Sequence, residues 1–276
     1  MEEKTIRAPV MRFTEEGSSD IEDVVVREFP FTIMLNNREL VTMLCSPENL
    51  KQLAVGFLFS EGLLNSRDEL KSVIVDEQRG IARVTAEETA GPGGDTLFKR
   101  FITSGCGRGA SFYNAADVTV EKVESSLKVS IGEVLDLMKE FQHRSEVFRA
   151  TGGVHSAALC DNKSILLFSE DIGRHNALDK IFGECVLNDI PTNDRIILTS
   201  GRISSEMLLK VAKRQVPVIV SKSAPTDLGI KLAHDMGMTL LGFVRGKRAN
   251  AYANGWRIVP DGKSGSPAPE ADNEQD

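Results

Sequence analysis

The sequence predicts an α/β fold in which a mixed sheet with flanking helices follows a smaller N-terminal α+β part. From residue 153 onward, apolar runs alternate with helical patterns, which is how a mixed or largely parallel sheet covered by helices is written in sequence. Ahead of it, short apolar runs flank turn signals twice, as the strands of antiparallel hairpins do. A chain of 276 residues, 41% hydrophobic and 26% charged, buries a sizeable core, and these ordinary fractions name no activity.

Residues 1–22 read as an N-terminal arm, and the α+β part occupies 23–128. Within it, the runs 24–33 and 40–44 flank Asn36-Asn37; asparagine tolerates positive φ at little cost, so a hairpin is expected. Ser46-Pro47 offers an N-cap and a first-turn proline to a helix whose Leu50, Leu53, Ala54, Phe57 and Leu58 fall at helical spacing, with Gly62 as its stop. A second hairpin is expected around Arg79-Gly80, between 73–75 and 81–84. Gly91-Pro92-Gly93-Gly94 breaks regular structure, and residues 97–117, without a clean period, read as a loop.

The α/β core is assigned to 129–260. It opens on Ser130 with Glu133 three residues on, a capping box ahead of Val134, Leu135, Leu137, Met138 and Phe141. Strands are then expected at 154–159, 165–168, 196–198, 218–220 and 240–244, and helices at 176–186, 205–213 and 225–236. Residues 261–276, rich in Pro, Gly, Ser and acids, have little to bury and are expected to be disordered.

A net charge of −7 argues against a general nucleic-acid binder, since binding by counterion release wants a basic face. No apolar stretch is long enough to span a bilayer, and Met1-Glu2-Glu3-Lys4-Thr5 lacks the basic region and apolar run of a secretory signal. Four cysteines standing far apart, Cys45, Cys106, Cys160 and Cys185, fit reduced thiols in a cytoplasmic protein better than a disulfide framework.

Cys106 lies in Thr103-Ser104-Gly105-Cys106-Gly107-Arg108-Gly109, a stretch with no helical or strand face in which to bury a thiol. The glycines leave the backbone unhindered, and the neighbouring guanidinium favours the thiolate, the nucleophilic form. That suits sulfur transfer, yet the same pattern also describes an incidental loop cysteine, and it does not decide between the two. Cys45, Cys160 and Cys185 sit in strand or helix patterns and read as core residues.

Three turns follow expected strands: Thr199-Ser200-Gly201-Arg202, Ser221-Lys222-Ser223 and Arg245-Gly246-Lys247-Arg248. In open α/β sheets ligands bind outside the carboxyl ends of strands, where hydroxyls, glycines and cations suit phosphates. Phe243-Val244-Arg245-Gly246-Lys247-Arg248 adds an aromatic ring for stacking, its alternative reading being a solvated turn with scattered charge. Glu170-Asp171-Ile172-Gly173-Arg174-His175-Asn176 serves either substrate binding or proton transfer, or else merely stabilises a helix entry. His155, at a strand start, reads as structural. Zinc is not expected: a zinc deaminase needs His-x-Glu and Pro-Cys-x-x-Cys, whereas His155 precedes Ser156-Ala157 and no cysteines are paired.

In order along the chain, residues 104–107, 151–157, 170–180, 199–206, 221–228 and 242–250 resemble the FdhD family, the accessory sulfurtransferases of formate dehydrogenase, within a span of about 24–258. The resemblance implies a cytidine-deaminase-like α/β core with added N-terminal structure, in a homodimer. It also implies that an IscS-type cysteine desulfurase loads Cys106 as a persulfide. The protein would then bind the bis(molybdopterin guanine dinucleotide) molybdenum cofactor as substrate and transfer sulfur to it before insertion into formate dehydrogenase. The resemblance places that cofactor on Phe243, Val244, Arg245, Gly246, Lys247 and Arg248, with GDP as a fragment mimic; Ser200, Arg202 and Ser221 of the neighbouring turns are expected to join them. Many members carry Cys-x-x-Cys in the loop where this chain has Cys106-Gly107-Arg108-Gly109, so sulfur is expected to ride a single thiol. The alternative is a cofactor-binding chaperone that handles no sulfur.

Overall fold

The computed structural model of the chain describes residues 4–87 and 121–261, together with the backbone of two strands at 99–102 and 110–113. The chain begins with β1 (Thr5–Thr14), β2 (Gly17–Val26), β3 (Phe29–Leu35), β4 (Arg38–Cys45), α1 (Leu50–Ser60), β5 (Leu70–Asp76), β6 (Ile81–Ala86), β7 (Lys99–Ile102) and β8 (Ala110–Tyr113). It continues through β9 (Val129–Ser130), α2 (Ile131–Arg144), α3 (Glu146–Thr151), β10 (His155–Cys160), β11 (Ile165–Asp171) and α4 (Arg174–Leu187). The last elements are β12 (Ile196–Thr199), α5 (Ser205–Lys213), β13 (Val218–Ser221), α6 (Asp227–Asp235), β14 (Thr239–Arg245), β15 (Arg248–Ala253) and β16 (Ile258–Val259). Multiple sheets with flanking helices make this a mixed α/β fold, as the alternating pattern implies.

Two compact units share the chain, and they interleave rather than divide at residue 128: the first takes Met1–Thr119, His143–Ala157 and Phe168–Ile190, the second the remainder. The first contains a four-stranded sheet of order β4-β3-β6-β5, with β3 and β6 parallel and the outer pairs antiparallel. Asn36 and Asn37 both take positive φ, 48° and 65°, which gives the β3–β4 turn the twist its strands need. The sequence run 24–33 is not one strand. It breaks after Val26, and residues 24–26 pair back with β1 in a ten-residue ladder, so the expected arm is a β-hairpin.

Helix α1 begins three residues later than Ser46-Pro47 suggests, at Leu50, after Asn49 in a left-handed conformation. Ser46 is buried and serves as an anchor instead: its amide donates to Asp171 Oδ2 at 3.0 Å, and its hydroxyl accepts from the amide of Ile172 at 3.2 Å. Leu53, Ala54 and Leu58 bury against Phe31 and Ile33 of the sheet. The other side of α1 carries Gly56, which meets Gly183 of α4, and this backbone-to-backbone approach assigns α4 to the first unit despite its place in the sequence. Strands β7 and β8 pair antiparallel, Ile102 opposite Ala110, which corrects the reading of 97–117 as wholly loop. Cys106 and its neighbours 103–109 lie outside the described residues, as does the tail from 262.

The six-stranded sheet has the order β11-β10-β12-β13-β14-β15, and its strands from β12 onward belong to the second unit. There β12, β13 and β14 run parallel, linked through α5 and α6, and β15 returns antiparallel. Helix α5 has the bounds the sequence predicts, and α2 opens on the expected capping box: the Ser130 amide donates to Glu133 Oε2 at 2.8 Å and the Glu133 amide to Ser130 Oγ at 3.1 Å. Arg257 is buried in this unit. Its Nη1 donates to Gly237 O at 2.6 Å and its Nη2 to the carbonyls of Val123 and Ser125 at 3.4 and 3.5 Å.

Candidate functional site

The parallel strands β12, β13 and β14 end side by side, and the turns that leave them are bonded into one surface. The Lys222 amide donates to Thr199 O at 3.2 Å, the Ile203 amide to Ala224 O at 3.1 Å, and the Phe243 amide to Ser223 O at 3.0 Å. Two hydroxyls set the turns from within. Thr199 Oγ1 accepts from the Gly201 amide at 3.2 Å, while Ser221 Oγ donates to Gly201 O at 2.7 Å and accepts from the Ser223 amide at 2.9 Å. Ser221 is fully buried, so it holds the turn rather than facing a ligand, and Val244, also fully buried, presents only main chain.

The exposed residues of this surface are largely cationic: Arg202, Arg245, Lys247 and Arg248, with Lys222 and Ser200 half-buried. Arg245 is oriented by two contacts, its Nε donating to Lys222 O at 3.2 Å and its guanidinium lying 5.6 Å from the ring centre of Phe243. Phe243 itself takes φ 52°, inside an irregularity of the β14–β15 ladder between Gly242 and Arg245. A bulky residue held in the left-handed region at a bulge is the kind of local strain that functional sites store. Gly246, at φ 57°, makes the tight turn that sets Arg245 opposite Arg248.

Sequence reading missed Ser204. It occupies the N-cap of α5 without capping it, and its hydroxyl is buried with no hydrogen-bond partner among the described residues. An orphan hydroxyl at a helix start, in a turn next to a cation, is what a phosphate would complete. The signal was present in the sequence as a serine directly ahead of an amphipathic run.

Within the polar segment 170–176, by contrast, Glu170, Asp171 and Asn176 are held by internal bonds. Glu170 accepts from Ser145 Oγ at 2.5 Å and from the Val147 amide at 3.4 Å, so it caps α3 in place of the cap residue itself; Ser156 completes the cluster 2.8 Å from Ser145. Asp171 pairs with Lys180 at 2.7 Å, both side chains almost wholly buried. Asn176 donates to Leu44 O and to Asp171 Oδ1, and the ammonium of Lys180 reaches Ser46 O at 3.2 Å. These contacts tie α4 to the end of β4.

The thiols of Cys45, Cys160 and Cys185 are buried. Burial, aided by the carboxylate of Asp171 and only partly offset by Lys180, pushes the Cys45 thiol up to about 12, so it is inert at neutral pH. Among the described residues no three His, Cys, Asp or Glu side chains gather as metal ligands would, and no helix is long and apolar enough to cross a membrane.

A family model described as the FdhD/NarQ family matches residues 26–259, leaving the β1–β2 hairpin almost wholly outside the match. The sulfur carrier protein FdhD of Bacillus subtilis (strain 168) is 45% identical over 250 residues, which are 90% of this chain and 95% of that one. The protein of the same name from Staphylococcus aureus (strain MRSA252) is 42% identical over 252 residues, 91% of this chain and 95% of the other. In three dimensions the chain is similar to the crystal structure of a candidate formate dehydrogenase accessory protein from Desulfotalea psychrophila. The TM-score is 0.79 at 26% identity, covering 93% of this chain and all of the other.

Proposed function

The chain belongs to the FdhD/NarQ family, and from that premise we propose that it is a sulfur carrier serving the maturation of formate dehydrogenase. In this reading the thiolate of Cys106 attacks the terminal sulfur of a persulfide on an IscS-type cysteine desulfurase. A sulfur–sulfur bond forms on Cys106 as the desulfurase cysteine leaves as thiolate, and the chain needs only one thiol for that exchange. The carried sulfur then passes to the bis(molybdopterin guanine dinucleotide) molybdenum cofactor, held as substrate before formate dehydrogenase receives it: the sulfur–sulfur bond breaks, Cys106 leaves as thiolate, and the two electrons that reduce the sulfur to sulfide come from the reduced metal of that substrate. The finer reading of the parallel β12-β13-β14 array as cytidine-deaminase-like, the homodimer and the cytoplasmic location belong to the same proposal.

The observation that carries the proposal is the bonded surface at the ends of β12, β13 and β14, whose linked turns carry Arg202, Lys222 and Arg245 as well as the orphan hydroxyl of Ser204. Cations and helix-start amides suit the pyrophosphate of a guanine dinucleotide, and the ring of Phe243 suits its base. Ser221 and Thr199 position those groups from below. A cofactor-holding chaperone without sulfur handling is the second reading, favoured by an anion surface whose described residues include no cysteine.

Intact-mass measurement after incubation with a desulfurase and cysteine separates the two. The proposal expects one added sulfur on the wild type, none on Cys106→Ala, and unchanged GDP affinity for both by calorimetry. Sulfur still loading on Cys106→Ala overturns the persulfide assignment. Absence of GDP binding to the wild type overturns the cofactor surface.

A further inference from the structure

We propose that the N-terminal β-hairpin is a docking strand for a partner protein: the free edge of β2 takes up an extended segment in which basic residues alternate with apolar ones. Among the described residues, strands β1 and β2 pair only with each other, over ten residues each, and a lone two-stranded ribbon is marginal in water. The base is held. Arg27 donates its amide to Lys4 O at 2.7 Å, α3 packs on β2, and Val26 lies so close to Gly153 that a β-carbon there would fall 2.6 Å from it. Beyond the base the ribbon carries apolar groups into solvent, with Phe13 75% and Met11 58% exposed. Apolar side chains held out on a ribbon that does not need them for its own packing mark an interaction surface.

The register decides which edge is open. Because Arg27 bonds to Lys4, the antiparallel ladder exchanges its bonds at every second pair from there: Ile6 with Val25, Ala8 with Asp23, Val10 with Ile21, and Arg12 with Ser19. The alternate residues turn their main-chain groups outward. On β1 these are Arg7, Pro9, Met11 and Phe13, and proline has no N–H to offer, so that edge is blunted at its middle. On β2 they are Ser18, Asp20, Glu22 and Val24; the Val24 amide donates to Asp23 Oδ1 at 2.8 Å, while the outward main-chain groups of the other three have no partner among the described residues.

Charge then selects the occupant. From Phe13 to Val26 the hairpin carries Glu15, Glu16, Asp20, Glu22 and Asp23 and no cation. Asp20 forms no ion pair among the described residues, and Glu22 is held only by Arg7, at 3.4 Å in an exposed pair that is easily given up. A second copy adding its own β2 by two-fold symmetry would set Asp20 and Glu22 against carboxylates, and like charges directly opposite disfavour that ladder. A foreign strand with lysine or arginine opposite Asp20 and Glu22 gains those pairs, and its intervening residue falls on the face of Ile21 and Val10.

The test uses the full chain and a fluorescein-labelled eight-residue peptide alternating lysine or arginine with valine, against a control alternating glutamate with valine. The basic peptide is expected to raise anisotropy and to slow hydrogen exchange at the amides of Ser18, Asp20 and Glu22, the control to do neither. Asp20→Lys with Glu22→Lys should weaken binding by about tenfold. Asp20→Pro, which removes an outward donor and leaves the hairpin's own bonds, should weaken it more than Asp20→Asn. Binding without protection of those three amides overturns the proposal, as does equal binding of the acidic peptide. Protection of the same amides by self-association alone, seen without peptide, assigns the edge to a second copy and overturns it too.

Discussion

Gly56 and Gly183 face each other where α1 and α4 cross, so closely that a β-carbon on Gly56 would fall 1.8 Å from Asp179 O and one on Gly183 1.9 Å from Gln52 O. Main chain lies on main chain there, with no flexible side chain able to give way. Gly56→Ala or Gly183→Ala is therefore expected to destabilise by about 3 kcal/mol, since backbone must shift to admit the methyl group. Urea unfolding followed by circular dichroism measures it. An unchanged midpoint for either variant would mean that the helices cross further apart.

The pair of Asp171 and Lys180 is buried on both sides, so removing one partner strands a charge. Asp171→Leu or Lys180→Met alone should cost about 3–5 kcal/mol, and the double variant should recover much of that loss. Equal destabilisation by the double variant and the single ones would show that the bonds of Asp171 to Ser46 and Asn176 matter more than the charge pair.

Thiol reactivity separates the cysteines. With the Cys45 thiol pushed up to about 12, its thiolate fraction at pH 8 is about one in ten thousand, and Cys160 and Cys185 are buried with it. Iodoacetamide on the native protein should label Cys106 and leave the other three until denaturant is added. Peptide mapping that finds native-state label on Cys45 contradicts the burial.

At the proposed anion surface, Arg245→Ala should weaken GDP binding by about 1.5 kcal/mol, roughly tenfold, as the loss of one charge-assisted bond. The wild-type affinity should fall as salt is raised, and the variant's should fall less steeply. Ser221→Ala should weaken binding while also lowering thermal stability, because Ser221 supports the turn at Gly201 and Ser223.

Asp161 joins β10 to β11 through an Asx turn, accepting from the amides of Lys163 and Ser164, both at 2.7 Å. Burial alone would raise its pKa, but those amides, the Ser164 hydroxyl and the charge of Arg195 together hold it below the usual carboxylate value. A depressed folded pKa gives stability that is present above the unfolded value near ~3.9 and is lost as pH falls through the folded one. Asp161→Asn should thus be less stable than wild type at pH 7, by about 1 kcal/mol, with the gap closing below the folded pKa. Thermal melts across that range give the answer; a gap that persists in strong acid would point to lost packing.

What the sequence makes legible is what neighbours decide. The Asn36-Asn37 turn and the capping box of Ser130 and Glu133 are each closed within four residues, and both form as expected. Ser46 looks like a helix cap because its true partners, Asp171 and Ile172, lie 125 and 126 residues away. Val24 to Val26 read as a continuation of β3 because the same apolar run suits either neighbour; the ladder with β1 decides. The three turns of the proposed anion surface were visible one at a time, as hydroxyls, glycines and cations after strands. Their joining through Lys222, Ser223 and Ala224, and the orphan hydroxyl of Ser204, depend on strand order, which no local pattern encodes.

Arg257 has a consequence for how the protein is made. The carbonyls of Val123 and Ser125 leave the ribosome well before the guanidinium that satisfies them. At about 5–20 residues per second the delay is on the order of ten seconds. The first unit likewise waits for α4 before Gly56 has anything to lie against. A nascent chain of this protein thus carries two unfinished bodies at once. Unfinished bodies of that kind expose apolar surface to aggregation, and a premature stop late in the message would leave the second body without its Arg257 clasp.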